Sequence, residues 1–368
     1  MQFNDCAPII EVTRGMVTES IHYGAVSVVS ADGKLIASYG NPNTVTFLRS
    51  SAKPFQILPF LAMGGMQHFH LTLEEVALMC ASHSGTDEHA RVATSILSKI
   101  GASEANLQCG THAPSDEVTY RRMFLAGQSP TPIRHNCSGK HSGFLCFATM
   151  LGESLDNYLD PTNKIQQHIL KNFAAFCDLT VEDIQPGIDG CSAPVFAVPM
   201  RSAALGVARL VDPRYAPAEM QKACQIVVKA MLTYPTMIAG PGKFDTRLMQ
   251  AGSNRWISKA GAEGYQIIGI LPGVLSPDSP GIGITIKTSD GDLGRRTIPT
   301  EEPTDPNELL TVNSGGRSCS LVAIEVLRQL GVLTPDVATA MRVFDRRPIR
   351  NFRKLVVGEI RPCFTLVR

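Results

Sequence analysis

The sequence predicts an α+β fold: an antiparallel sheet, built from an N-terminal hairpin and from strands late in the chain, covered by helices and joined to a helical lobe. Three observations carry this. β-Rich runs flank Asp32-Gly33 near the start, the middle third alternates helical periodicity with short turns, and short β-rich runs return after Gly240-Pro241-Gly242. Strands at both ends around a helical middle imply a single domain over 1–368. Its sheet lobe covers about 17–65 and 240–368, and its helical lobe about 66–239.

The hairpin runs from His22 to Tyr39, with Ala25, Val26, Val28 and Val29 before the Asp-Gly turn and Leu35, Ile36 and Ala37 after it. A helix start follows at Ser50. The next helix, Leu73–Ala81, is opened by Thr72 with Glu74 and Glu75 in its first turn; Thr86 and Asp87 open another that Gly101 stops. Segments 140–151, 161–177, 201–211 and 216–232 carry apolar residues at helical spacing. Strands are expected at 255–259, 265–271, 281–287 and 294–298, an exposed loop at 299–316, and helices at 318–330 and 334–344. The basic tail from Asp345 to Arg368 reads as a solvated, partly ordered surface.

Composition narrows the function classes. Of 368 residues 44% are hydrophobic and 18% charged, with a formal net charge of +1, so no bulk field favours nucleic acid or another polyelectrolyte. Small-molecule chemistry is the default expectation. The first residues lack a basic segment followed by an apolar one, and no apolar run is long enough for a membrane span, which points to a soluble, cytoplasmic protein. Ten scattered cysteines without a Cys-x-x-Cys pair read as reduced thiols, mostly small apolar core residues.

The chemistry centres on Arg49-Ser50-Ser51-Ala52-Lys53-Pro54. Ser50 and Lys53 stand three apart, on one face of a helix start, and a lysine amine with a lowered pKa can take the proton of a serine hydroxyl. Alone, the pair reads equally as an ordinary N-cap serine beside a solvated lysine. Enzymes built on a Ser-x-x-Lys nucleophile add a second serine from the helical lobe and a Lys-x-Gly from a strand. The chain supplies both in that order: Ser82 and Ser84 in the loop at 81–85, and Lys259-Ala260-Gly261.

Together with Asn136-Cys137-Ser138-Gly139-Lys140-His141 and Asp189-Gly190-Cys191, these pieces resemble the asparaginase II family. These are the rhizobial-type L-asparaginases, whose fold is similar to serine β-lactamases and serine-dependent glutaminases. The resemblance runs from about Val17 to near Lys287. It implies that Ser50 and Lys53 form a first Ser-Lys tandem, that Ser82 and Lys259 form a second, and that Cys137, Lys140 and Cys191 bind zinc. It also implies a homodimer. Chemistry alone does not call the zinc site: a lysine binds metal only as a free amine, although two thiolates would neutralise the ion. Asp189 and His141 are candidates for orienting the ligands.

The expected reaction is hydrolysis of L-asparagine to L-aspartate and ammonia through an acyl-enzyme on Ser50, with Lys53 as base and zinc assisting substrate binding without generating hydroxide. Arg49 and Asp189 are the candidates for the substrate's α-carboxylate and α-ammonium. The alternatives are a glutaminase, a β-lactamase-like amidase or esterase, and a zinc-binding ligand sensor without catalysis. One methylene separates asparagine from glutamine, which sequence does not resolve.

Overall fold

The computed structural model describes residues 1–292 and 318–368. The expected strand at 294–298 and loop at 299–316 lie outside the described residues. The chain forms two compact units, one of residues 1–46, 198–208 and 242–368, the other of 47–197 and 209–241.

The first unit holds an eight-stranded antiparallel sheet, so the α+β class is as expected. Its order is Arg347–Arg350, Val356–Pro362, Ala7–Arg14, Val17–Ser30, Ile282–Thr288, Tyr265–Ile270, Trp256–Gly261. The long strand Val17–Ser30 pairs with Ala7–Arg14 along its first half and with Leu35–Tyr39 along its second. The turn at Asp32-Gly33 needs its glycine, whose φ is +92°. Period-two alternation divides the faces. Ile282, Ile284 and Ile286 join the core with Leu321, Ile324 and Leu327 of helix Cys319–Gln329. On the other face, Thr285 donates to the Met200 carbonyl (3.0 Å) at the start of helix Met200–Val211.

Two parts of this sheet were not expected. The tail forms two of its strands, Arg347–Arg350 and Val356–Pro362, with Ile360 fully buried. Closely spaced arginines, Arg346, Arg347, Arg350 and Arg353, hide the strand signal, and Arg361 is neutralised between Glu11 and Glu359 at 2.7 Å each. The strand Ala7–Arg14 is likewise masked in the sequence, since it carries Pro8, Glu11 and Arg14.

The second unit is mostly helical. Thr72 and Glu75 form a capping box on Leu73–Met79, Thr86 caps Asp87–Lys99, and Asn163 caps Lys164–Cys177. Helix Ser138–Leu151 is buried from Ser138 to Ala148. A Cβ at Gly139 would lie 2.2 Å from the Leu78 carbonyl oxygen, so glycine there lets two helices approach closely. Phe55, Phe173 and Phe196 pack ring against ring. An uncalled hairpin, Gln185–Ile188 with Pro194–Pro199, presents the turn that holds Asp189 and Cys191.

Candidate active site

Local backbone explains where Ser50 and Lys53 sit. Arg49–Ala52 is a 3-10 turn running into Lys53–Gln56, and residues three apart eclipse in such a turn. The Lys53 N–H closes it on the Ser50 carbonyl. Pro54 falls in the first turn of the following helix, where an N–H is not needed. Arg49 has φ +53°, a left-handed conformation costly for a side-chain-bearing residue, immediately before the serine.

Lys53 is 1% exposed. Its Nζ meets the Ala81 carbonyl at 2.5 Å, the Asn136 carbonyl at 3.3 Å and Ser82 Oγ at 2.8 Å. Among the described residues the serine hydrogen-bonded to Lys53 is therefore Ser82, not Ser50. Two of the three partners are carbonyls, which can only accept. As an ammonium the lysine donates to all three; as a neutral amine its two N–H groups go to the carbonyls and its lone pair is left for the Ser82 hydroxyl. The loop carrying Ser82 is held by its own N–H to the Ile238 carbonyl (2.9 Å).

Cys137, Lys140 and Cys191 come together, each less than 5% exposed. Lys140 Nζ lies 2.8 Å from Cys191 Sγ. A hydrogen bond from Cys191 holds the Cys137 thiol well below its usual range against the effect of burial, with Lys53 and Lys140 adding to the pull. Burial would lower Lys140, but the two sulfurs reverse that and raise it. Among the described residues no three His, Cys, Asp or Glu side chains are placed to hold a metal, so any such site depends on Lys140 as third donor. Zinc takes thiolate sulfur and nitrogen donors, and Lys140 would join the two cysteines as a ligand only on giving up the proton that their sulfurs hold on it.

Arg49 and Asp189 are paired with each other. Arg49 Nε and Nη2 reach Asp189 Oδ1 at 2.8 and 2.7 Å, and the Gly190 N–H reaches the same oxygen at 2.7 Å. Burial pushes the Asp189 carboxyl up, but these donors prevail and hold it below its ordinary value.

Lys259 lies on strand Trp256–Gly261 of the first unit, 1% exposed, with Nζ 2.7 Å from the Ala260 carbonyl.

Three residues given no catalytic role from sequence also shape the site. Tyr158 OH accepts the Gln108 N–H (2.9 Å) and is hydrogen-bonded to His141 Nδ1 (2.7 Å). Burial lowers His141 to about 4, which keeps it neutral. His83 accepts the Gly85 N–H at Nδ1 and meets Ser138 Oγ at 2.9 Å through Nε2, tying the Ser82 loop to the helix that starts after Cys137. The turn His135–His141 was visible in the sequence; its partners, distant along the chain, were not.

The sequence pattern described as L-asparaginase II matches residues 10–299. The chain belongs to the L-asparaginase II family. Membership of the L-asparaginase II family makes it an amidohydrolase acting on a small molecule. No relative was found among curated proteins. Solved structures similar to it include a Bacillus subtilis glutaminase in covalent complex with 5-oxo-L-norleucine (12% identity, 73% of this chain and 80% of that one, TM-score 0.35). A β-lactamase from Sphaerobacter thermophilus is also similar (12% identity, 85% and 94%, TM-score 0.38). No described helix is long and apolar enough to cross a membrane.

Proposed function

We propose that this L-asparaginase II family member hydrolyses L-asparagine to L-aspartate and ammonia by a serine acyl-enzyme route. The supporting observation is the position of Lys53, buried between two carbonyls and the Ser82 hydroxyl. Ser50 attacks the side-chain carboxamide carbon, its C–O bond forms, and its proton passes through Ser82 to the Lys53 amine. Return of that proton to the departing nitrogen releases ammonia. Water then adds to the ester, giving aspartate and regenerating Ser50. Lys259 takes the role of second proton relay, as in the family's second tandem.

Arg49 and Asp189 are the recognition pair. Their mutual ion pair keeps a cation and a carboxylate in readiness for the α-carboxylate and α-ammonium of an amino acid. Cys137, Lys140 and Cys191 would hold a zinc ion, which when bound helps orient the substrate.

The 2.8 Å contact of Lys53 with Ser82 also favours a second reading, in which Ser82 is the nucleophile and Ser50 assists. Ammonia release from L-asparagine and L-glutamine, measured side by side for wild type, Ser50→Ala and Ser82→Ala, tests both. Preference for asparagine, with loss in Ser50→Ala, is expected. Release from neither amide would refute the function.

A further inference from the structure

We infer that Asp245 is a positioning residue for Lys259, an inference that rests on the proton-relay reading of that lysine. Asp245 lies in the first turn of helix Phe244–Gly252 and is 3% exposed. Its Oδ1 accepts the Ser258 hydroxyl at 2.7 Å and Gln266 Nε2 at 2.9 Å, while Oδ2 accepts the Ala260 N–H at 2.7 Å. Ser258 and Ala260 are the two neighbours of Lys259 in the chain. One carboxylate thus holds the side chain of the residue before the lysine and the backbone N–H of the residue after it.

Among the described strands Trp256–Gly261 ends the order of the sheet. A strand at an edge has backbone donors without a strand partner and is free to shift. Here the Ala260 N–H goes to Asp245 instead. Side chains alternate along the strand, so Ser258 and Ala260 face Asp245 and Lys259 projects from the opposite face. Asp245 acts through the strand and not by touching the lysine. A neutral acceptor would satisfy an edge N–H at lower cost than a buried carboxylate. The charged form supplies two oxygens that hold three donors at once, which fixes the strand in place. Proton transfer demands such placement, since displacement by about 1 Å costs on the order of 100-fold in rate.

The test compares Asp245→Asn, Lys259→Ala and the double variant by steady-state kinetics across pH, with unfolding monitored in parallel. Asn has one acceptor oxygen where the carboxylate has two, so either the Ala260 N–H or Gln266 Nε2 loses its acceptor. The expected result is a fall in kcat of about 10–100-fold with KM changed little, a displaced limb of the pH profile, and no further loss when Asp245→Asn is added to Lys259→Ala. Ser258→Ala, which removes one of the three bonds, should show the same pattern more weakly if Asp245→Asn does not fold. Losses that multiply in the double variant, or a lowered Tm with kcat and pH profile unchanged, would overturn the inference alone. Full activity in Lys259→Ala would overturn the reading of Lys259 itself.

Discussion

Replacing Lys53 by Met separates the chemical role of the lysine from its structural one. The stem volume is nearly kept, and what disappears is the nitrogen with its three contacts. The Asn136 carbonyl retains the His83 N–H at 3.2 Å, whereas the Ala81 carbonyl loses its only donor among the described residues. One orphaned buried carbonyl costs about 1–3 kcal/mol. At about 2–4 °C per kcal/mol the Tm should fall by a few degrees. Loss of a positioned base removes about 10²–10⁴-fold in rate, or roughly 3–5 kcal/mol of barrier stabilisation. Thermal unfolding alongside ammonia release reads both effects. Lys53→Arg supplies the contrast: it keeps a cation but cannot act as a base, so it should be as inactive as Lys53→Met. Activity within about threefold of wild type in a folded Lys53→Met enzyme, judged against that expected loss, would refute the reasoning.

Three further outcomes follow from the same geometry. Gly139→Ala places a Cβ 2.2 Å from the Leu78 carbonyl oxygen and should destabilise the protein by about 1–3 kcal/mol or more, read as a lower midpoint in urea. His83 is buried, and burial foremost keeps its pKa well below the ordinary value, so the folded protein holds it neutral while the unfolded chain protonates it below about pH 6.5. Its contribution to stability is therefore complete above that pH and declines as pH falls below it. Wild type should lose stability on acidification more steeply than His83→Gln, and equal slopes would contradict this. Metal analysis of protein purified without chelator should find zinc in wild type and a loss of at least tenfold in affinity in Cys137→Ser and Cys191→Ser, against unchanged binding in Cys109→Ser; equal zinc content in all four would remove the zinc reading.

Much of the fold was legible because local signals agreed with it. Thr72 with Glu75, Thr86 with Asp87, and Asp32-Gly33 each announced an element that formed where expected. The missed strands carry residues that obscure the β pattern: Pro186, Pro194 and Pro199 in one hairpin, and Arg347, Pro348 and Arg350 in the tail, where Val356–Pro362 is also held by Ala7–Arg14 from the other end of the sequence. At the site, the spacing of Ser50 and Lys53 was readable, but the choice of Ser82 as the hydrogen-bond partner of Lys53 depends on how loop 81–85 returns past the first turn. Arg49 and Asp189 were named together for the two charged groups of the substrate, and only the folded hairpin turn reveals that they bind each other. The stretch Gly240 to Asp245 resembles a family loop near the site, but the sequence assigns Asp245 no role, because its meaning lies in two hydrogen bonds to the neighbours of another residue.

The central claim is the acyl-enzyme on Ser50. The most direct measurement is rapid acid quench of the enzyme during turnover of L-asparagine, followed by peptide mass spectrometry. An aspartyl ester on the peptide containing Ser50, absent in Ser50→Ala, is the predicted result. An ester on the Ser82 peptide would exchange the two serines, and turnover with no ester on either peptide would contradict the account.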